Sequence, residues 1–486
     1  MQKHILKFSK IFEKTLFWLV LTLFLFIPLY QKYPAIRIPA TFVSVRLEDF
    51  LILAVTIVLF LYLYFSKKFN TVLKDKLTLA FLVFFFIGLV SLFSAIFITH
   101  SVRWHLALFH YLRRIEMMIL LFVGLFSVNK LRDLKVFLLA FSFVALVVSF
   151  YALGQKFLKF PSISTVNPEL SKGVIYYLTP SDRPNSTFAG HYDLAVFLLM
   201  VIIVLVAIFF YYWQKLKTKL ISKKNTVFTL IYLGSVGFIS SYVLVMTAAR
   251  LSFFALILGL IFVLILLKKK TVLLGAIFIV LFIILYPSQL QQRLISTIKI
   301  NVLRQWSGYQ AVSEAQEARS KLNIPTLPTG GKRTETIGAD APDIVPGEPV
   351  DTTELAIYRS FQIRTQVEWP RAIRAFLTNP FLGTGYSSIG LATDNDFLRS
   401  LGEVGLLGTF AFILILWEAT KRLWRSLKES KGFLFYYLVG LLAMIFAFLV
   451  NSLFIDVFEA SKIASLFWLM VGAGLKIGNL SKKHVA

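Results

Sequence analysis

Residues 194–213 read LAVFLLMVIIVLVAIFFYYW, a run with no charge and no proline, and Lys215, Lys217, Lys219, Lys223 and Lys224 follow it at once. As an α-helix rising about 1.5 Å per residue, such a run crosses a hydrocarbon layer about 30 Å thick. A cluster of lysines just past its end marks the cytoplasmic side of a membrane. The same pairing of apolar run and basic loop recurs along the chain. Apolar runs lie at Thr15 to Leu29, Phe50 to Phe65, Leu77 to Ile98, Val136 to Leu153, Val227 to Met246, Leu251 to Leu267 and Val272 to Tyr286. Others follow at Val404 to Trp417, Phe433 to Val450 and Ile463 to Leu475, and a weaker one, Ile115 to Phe126, comes after Arg113 and Arg114. With 57% hydrophobic and 16% aromatic residues among 486, lipid must be the solvent. The expected fold is all-α, a polytopic membrane protein with about twelve spans.

The formal charge of +26 would point to nucleic acid in a soluble protein, so its distribution decides what it means. It sits in alternate loops. Lys3, Lys7, Lys10 and Lys14 precede the first span, and Lys67, Lys68, Lys74 and Lys76 follow the second. Lys130, Arg132 and Lys135 follow the fourth, Lys268 to Lys270 the eighth, and Lys421, Arg422, Arg425, Lys428 and Lys431 the tenth. Residues 287–400 carry nearly balanced charge. The positive-inside rule then places both termini in the cytoplasm and the 287–400 loop outside, and it removes nucleic acid as a partner. There is no cysteine, hence no disulfide or thiolate metal site. The first apolar run lacks a small-residue cleavage site and reads as a retained helix.

Three regions follow: spans one to nine in 1–286, a large extracytoplasmic loop in 287–400, and spans ten to twelve in 401–486. The loop should open with an interfacial helix bearing Leu290, Leu294, Ile298, Val302 and Trp306, then become flexible through 324–350, which is rich in proline, glycine and threonine. Helix is expected to resume near Glu354, run to Leu377 and stop at Asn379-Pro380.

Trp369, Asn379-Pro380, Gly383-Thr384-Gly385, Asp394-Asn395-Asp396 and Gly402-Glu403-Val404-Gly405-Leu406-Leu407-Gly408 stand in this order just before span ten. This series, W, NP, GxG, DN and ExGxxG, resembles that of the O-antigen ligase and O-antigen polymerase superfamily. Thr247-Ala248-Ala249-Arg250 is similar to that family's arginine between two middle helices, and Arg183 through Asp193 to its segment before the sixth helix. The resemblance implies a GT-C type, inverting glycosyltransferase. Its donor would be an undecaprenyl diphosphate-linked oligosaccharide at the outer face of the membrane, and its acceptor another glycan or a lipid core. Neither cofactor nor metal is implied. Ligases carry histidine where Asp394 stands, which shifts the expectation toward a polymerase.

Charge builds on a diphosphate as its glycosidic bond breaks, and arginine meets that charge with a fork that stays protonated beside lipid. Arg250 and Arg364 are the leading diphosphate-binding candidates, with Arg359 and Arg183 behind them. An acceptor hydroxyl needs a base, for which Asp394 and His191 are candidates. Trp369, Tyr386, Asn395 and Asp396 are candidate substrate contacts. The bland alternatives are snorkelling arginines and solvated carboxylates. His100, His105 and His110 lack metal-ligand pairing and read as interfacial. Gly383-Thr384-Gly385 has no strand before it and no Walker lysine after it, so it is a turn and not a nucleotide loop. Rival readings are a twelve-span secondary transporter, which would place charges at the membrane midplane, and a lipid-linked glycan flippase.

Overall fold

The computed structural model describes residues 2–37, 44–164, 173–179, 182–218, 223–268, 363–390 and 392–483. The expected ninth span, the interfacial helix, the 324–350 segment and Arg359 lie outside these residues. The described chain is almost entirely helical. Its helices are α1 (Gln2–Leu29), α2 (Leu47–Phe65), α3 (Phe69–Leu73), α4 (Lys76–Phe97), α5 (Trp104–Ser127), α6 (Leu131–Phe157), α7 (His191–Lys217), α8 (Lys223–Met246) and α9 (Arg250–Leu266). After the large loop come α10 (Trp369–Thr378), α11 (Asp396–Glu429), α12 (Gly432–Ser452) and α13 (Ser461–Lys483). Two short antiparallel pairs, Ile36–Arg37 with Ser44–Val45 and Ser162–Ile163 with Ile175–Tyr176, tie down two of the connecting segments.

Among the described residues eight helices are long and apolar enough to cross a membrane: α1, α2, α4, α6, α7, α8, α11 and α12. α9 is apolar but shorter, and α5 and α13 contain the expected fourth and twelfth spans. The run 194–213 forms the centre of the bundle. Every residue from Leu194 to Leu205 is buried, because α7 packs against α6, α8, α9, α12 and α13. A helix that is apolar all round has no polar face to show solvent, so its place is inside. Peripheral helices do the reverse, with Phe228 and Phe238 of α8 74% and 76% exposed on the lipid-facing side.

α5 starts at Trp104, well before the expected Ile115, and takes Arg113, Arg114 and Glu116 into the helix. Its partner is α13. A Cβ placed on Gly472 would overlap the Leu121 carbonyl, and one on Gly124 would overlap the Leu469 carbonyl. The two backbones therefore touch through paired glycines, which replaces the missing hydrophobic drive with close van der Waals contact in lipid. At one end of the bundle Arg422 of α11 lies 2.9 Å from Asp75, whose carboxylate also caps α4 through the amide of Leu77. The opposite end, where α2, α7, α9 and α13 begin, gathers the candidate residues.

Gly472→Leu should lower the stability of the detergent-solubilised protein by about 1–3 kcal/mol or more, the range for overpacking. Thermal unfolding of the variant beside wild type measures this, and an unchanged midpoint contradicts the glycine contact.

Candidate functional site

The glycine motif forms a backbone clasp. Gly405, with φ +66° and ψ −168°, interrupts α11 and releases carbonyls before the break and amides after it. The turn at 380–385 pairs with four of these groups. Leu406 and Leu407 donate to the carbonyls of Pro380 and Phe381 at 2.8 and 3.2 Å. Thr384 and Gly385 donate to those of Gly402 and Glu403, each at 2.9 Å. Ser91 adds a hydroxyl to the Glu403 carbonyl at 3.0 Å. Gly383 (φ +69°) and Gly405 lie so close to the facing main chain that a side chain at either would strike backbone. Asn379 ends α10 and holds the turn, accepting from the Leu382 amide at 3.2 Å and donating to Ser94 at 3.2 Å. The entry to span ten, expected around Gly402, is thus the middle of a broken helix that starts at Asp396.

Immediately before that helix, Asp394 sits at φ +49° and receives the Arg364 fork on one oxygen, Nε at 2.8 Å and NH2 at 2.6 Å. Burial raises the Asp394 carboxyl above the ordinary aspartate range, Arg364 opposes this, and Asp456 reinforces it. Asp456, in the α12–α13 connection, accepts the amides of Thr393 and Asn395 at 2.7 and 3.1 Å and so fixes the backbone on both sides of Asp394. Buried Arg399 orients Asp456 at 3.0 Å and reaches Glu403 at 3.4 Å. Arg114 of α5 pairs with Glu459 and donates to the Phe458 carbonyl at 3.2 Å.

Arg364 lies in a single π-helical turn, Ile363–Glu368, that runs into α10 at Trp369. The expected uniform helix to Leu377 therefore changes register at this point, and the arginines along it reach different partners. Arg364 turns to Asp394, Arg371 donates to the Ile389 carbonyl at 3.1 Å, and Arg374 is exposed. In the same turn, burial and then Asp394 push the Glu368 carboxyl up to about 7, with Asp456 adding to this and Arg364 and Arg371 opposing.

Other expected contacts have different tasks. Asn395 caps α11 through its oxygen and donates to the Leu453 carbonyl at 3.0 Å. Asp396 is buried and accepts the Val457 and Phe458 amides at 2.9 and 3.2 Å. Both residues hold loops in place, Asp396 because a carboxylate buried from water takes the nearest backbone donors. Tyr386 is buried between Gly88 and Tyr111, its ring 5.5 Å from that of Tyr111. Arg250 is the first residue of α9, two positions before Ser252, whose hydroxyl contacts Asn451 at 3.4 Å; this puts it at the same end as the Asn395–Leu453 bond.

At the start of α7, Arg183 donates to His191 Nε2 at 3.0 Å, which engages that lone pair. Asp193 faces Lys32 at 4.0 Å. Buried Lys462 donates to the carbonyls of Pro28, Tyr30 and Thr187. Arg46 bonds Glu48 and Ser461 at 3.5 and 3.2 Å, and Arg113 bonds Asp49 at 3.2 Å. His100 and His105 are exposed, and His110 is partly buried in α5.

Sequence reading missed Lys32, Arg46, Glu48, Arg114, Glu368, Arg399, Asp456, Glu459 and Lys462. The available signal was the sign of the charge: basic residues at span ends on the side that the positive-inside pattern leaves acidic or neutral need a local reason.

Gly405→Ala should destabilise the clasp by about 1–2 kcal/mol from the left-handed φ alone, with more from backbone overlap. Limited proteolysis in the 380–407 region should accelerate, and protection equal to wild type would count against the clasp.

Residues 235–413 match the family model described as O-Antigen ligase. The matched stretch contains Arg250, Arg364, Glu368, Trp369, the clasp and Asp394, whereas Lys32, His191, Asp456 and Lys462 lie outside it. No curated protein matches the chain. The match supports assignment to the O-antigen ligase and polymerase superfamily and to glycosyl transfer from a lipid-linked donor.

Proposed function

We propose that this member of the O-antigen ligase and polymerase superfamily transfers or polymerises glycan carried on undecaprenyl diphosphate, at the outer face of the cytoplasmic membrane and with inversion. The observation that carries this reading is the Arg364–Asp394 pair, built into the matched segment and braced by Asp456 and Arg399. Arg364 has an anionic partner and a rigid mounting, which is what a guanidinium needs if it is to meet a phosphate without reorganising.

As the anomeric carbon–oxygen bond breaks, its electron pair leaves with the diphosphate. Arg364, with Arg250 at the start of α9 and Arg359 and Arg183 as further contributors, stabilises the developing charge. The acceptor hydroxyl attacks from the opposite side, and a carboxylate near the Arg364–Asp394 pair takes its proton. His191 is the lesser candidate, since its Nε2 already accepts from Arg183. Basic residues at the far end of the bundle, such as Lys67, Lys130, Lys215 and Arg425, support an orientation with the Arg364 end outside and both termini inside. Asp394, in the place of the ligases' histidine, favours polymerisation over ligation.

Purified protein given an undecaprenyl diphosphate oligosaccharide should lengthen it, or move it to a lipid A core when one is supplied, with products separated by gel or mass spectrometry. Arg364→Ala and Arg250→Ala should each lower the rate by about a hundredfold to a thousandfold. Unimpaired transfer by either variant removes that arginine from the mechanism. Reporter fusions after Thr378 should read as extracytoplasmic, and a cytoplasmic signal there sinks the orientation.

A further inference from the structure

We propose that Glu368 is the catalytic proton acceptor of the transfer, with Asp394 holding the Arg364 guanidinium in place and Trp369 binding the acceptor sugar. This rests on the glycosyl-transfer reading above and names the base within it.

The geometry separates the two carboxylates by occupation. Asp394 Oδ2 takes both Arg364 donors, at 2.8 and 2.6 Å, so the lone pairs of that oxygen are directed at a fixed cation. Glu368 Oε2 is buried and has no hydrogen-bond partner among the described residues. The next residue repeats the pattern with the opposite polarity: Trp369 Nε1 is also buried and unpartnered among the described residues. A buried polar atom left without a partner costs about 1–3 kcal/mol, so two in succession call for a ligand. One is an acceptor and the other a donor. A diphosphate, which only accepts, would suit the indole and repel the carboxylate. A sugar suits both, since each of its hydroxyls donates as well as accepts.

The backbone points the same way. The π-helical turn Ile363–Glu368 ends on this residue, and such turns cluster at functional positions because they re-aim side chains. Asp394 and Asp456 from the facing loops, and Arg364 and Arg371 from its own stretch, are the charged groups acting on Glu368. Burial and then Asp394 push its carboxyl up to about 7, where a base is strong enough to matter and half of it is ionised at neutral pH. In the step itself, the acceptor oxygen bonds to the anomeric carbon and its proton moves to Glu368. The carbon–oxygen bond to the diphosphate breaks with the pair leaving on the diphosphate, and Glu368 then returns the proton to water.

The test measures transfer from undecaprenyl diphosphate oligosaccharide against pH. Ionised Glu368 is the active form, so the wild-type rate should rise with pH to a plateau with its half-point near 7. Glu368→Gln should lower the plateau about a hundredfold or more, abolish the inflection and leave the donor KM within about twofold. Glu368→Asp should recover part of the rate, and Trp369→Phe should raise the acceptor KM more than it lowers kcat. A wild-type half-point near the ordinary glutamate value of about 4 overturns the assignment without reference to any variant's folding. Transfer by Glu368→Gln at half the wild-type rate or more overturns it while the proposed function stands. Absence of transfer by wild type, with donor and acceptor both supplied, overturns both.

Discussion

A helix that stops hydrogen-bonding to itself inside an apolar bundle has no water to turn to, and each orphaned amide or carbonyl there costs several kcal/mol. At Gly405 this chain accepts such a break in α11 and meets it with a second piece of backbone, the turn at 380–385, carried in by α10. Everything placed near Asp394 follows from that joint. α10 can lie against α11 only because Gly383 and Gly405 let two main chains touch. The π-turn bearing Arg364 and Glu368 is in turn an extension of α10. A motif of glycines spread over some twenty positions is thus one contact, and the chemistry-bearing residues are mounted on its two sides.

The charges at this end are held by the same logic of completed partners. Arg399 is buried and Asp456 half-buried, and each answers the other as well as the backbone around it. Ion pairs in low dielectric cost desolvation and return geometry, which is why removing one partner is worse than never having had the pair. Here the geometry returned is the position of Asp394, fixed by hydrogen bonds that the amides on both sides donate to a carboxylate from a different connection. Arg364 is braced in its turn by Asp394. The arrangement is a relay of supports running from the helix core to the rim.

Much of the architecture was readable because hydrocarbon imposes a simple grammar. A run such as 194–213 has one physical outcome, and the alternation of lysine-rich loops sets the order of the rest. Asn379-Pro380 as a stop and 383–385 as a turn were equally plain, since proline and glycine act through their own backbones. Reading failed where a partner far along the chain changed the meaning of a residue. Arg113 and Arg114 suggested a span beginning after them, yet Asp49 and Glu459 let them enter the helix. Asp396 and Asn395 looked like ligands for a substrate, and the amides of 457 and 458 and the carbonyl of Leu453 claimed them. Local spacing also cannot foresee a π-turn, which inserts one residue and rotates every side chain before it. That shift lies between Arg364 and Arg371, which reach different partners, and leaves Glu368 within the field of Asp394.

Lys462 draws a different consequence from the fold. Its ammonium, at the start of the last helix, meets the carbonyls of Pro28 and Tyr30, where the first helix ends, and that of Thr187 just before α7. Until α13 arrives, the end of α1 and the segment leading to His191 are joined by the Thr187 hydroxyl on the Pro28 carbonyl, without the ammonium that later bridges three carbonyls. Biosynthesis runs from the amino terminus, so α1 enters the bilayer well before α13, which completes its end. A nascent chain released before residue 461 would carry every motif of the matched family stretch and still lack the pin that draws its beginning and its middle together.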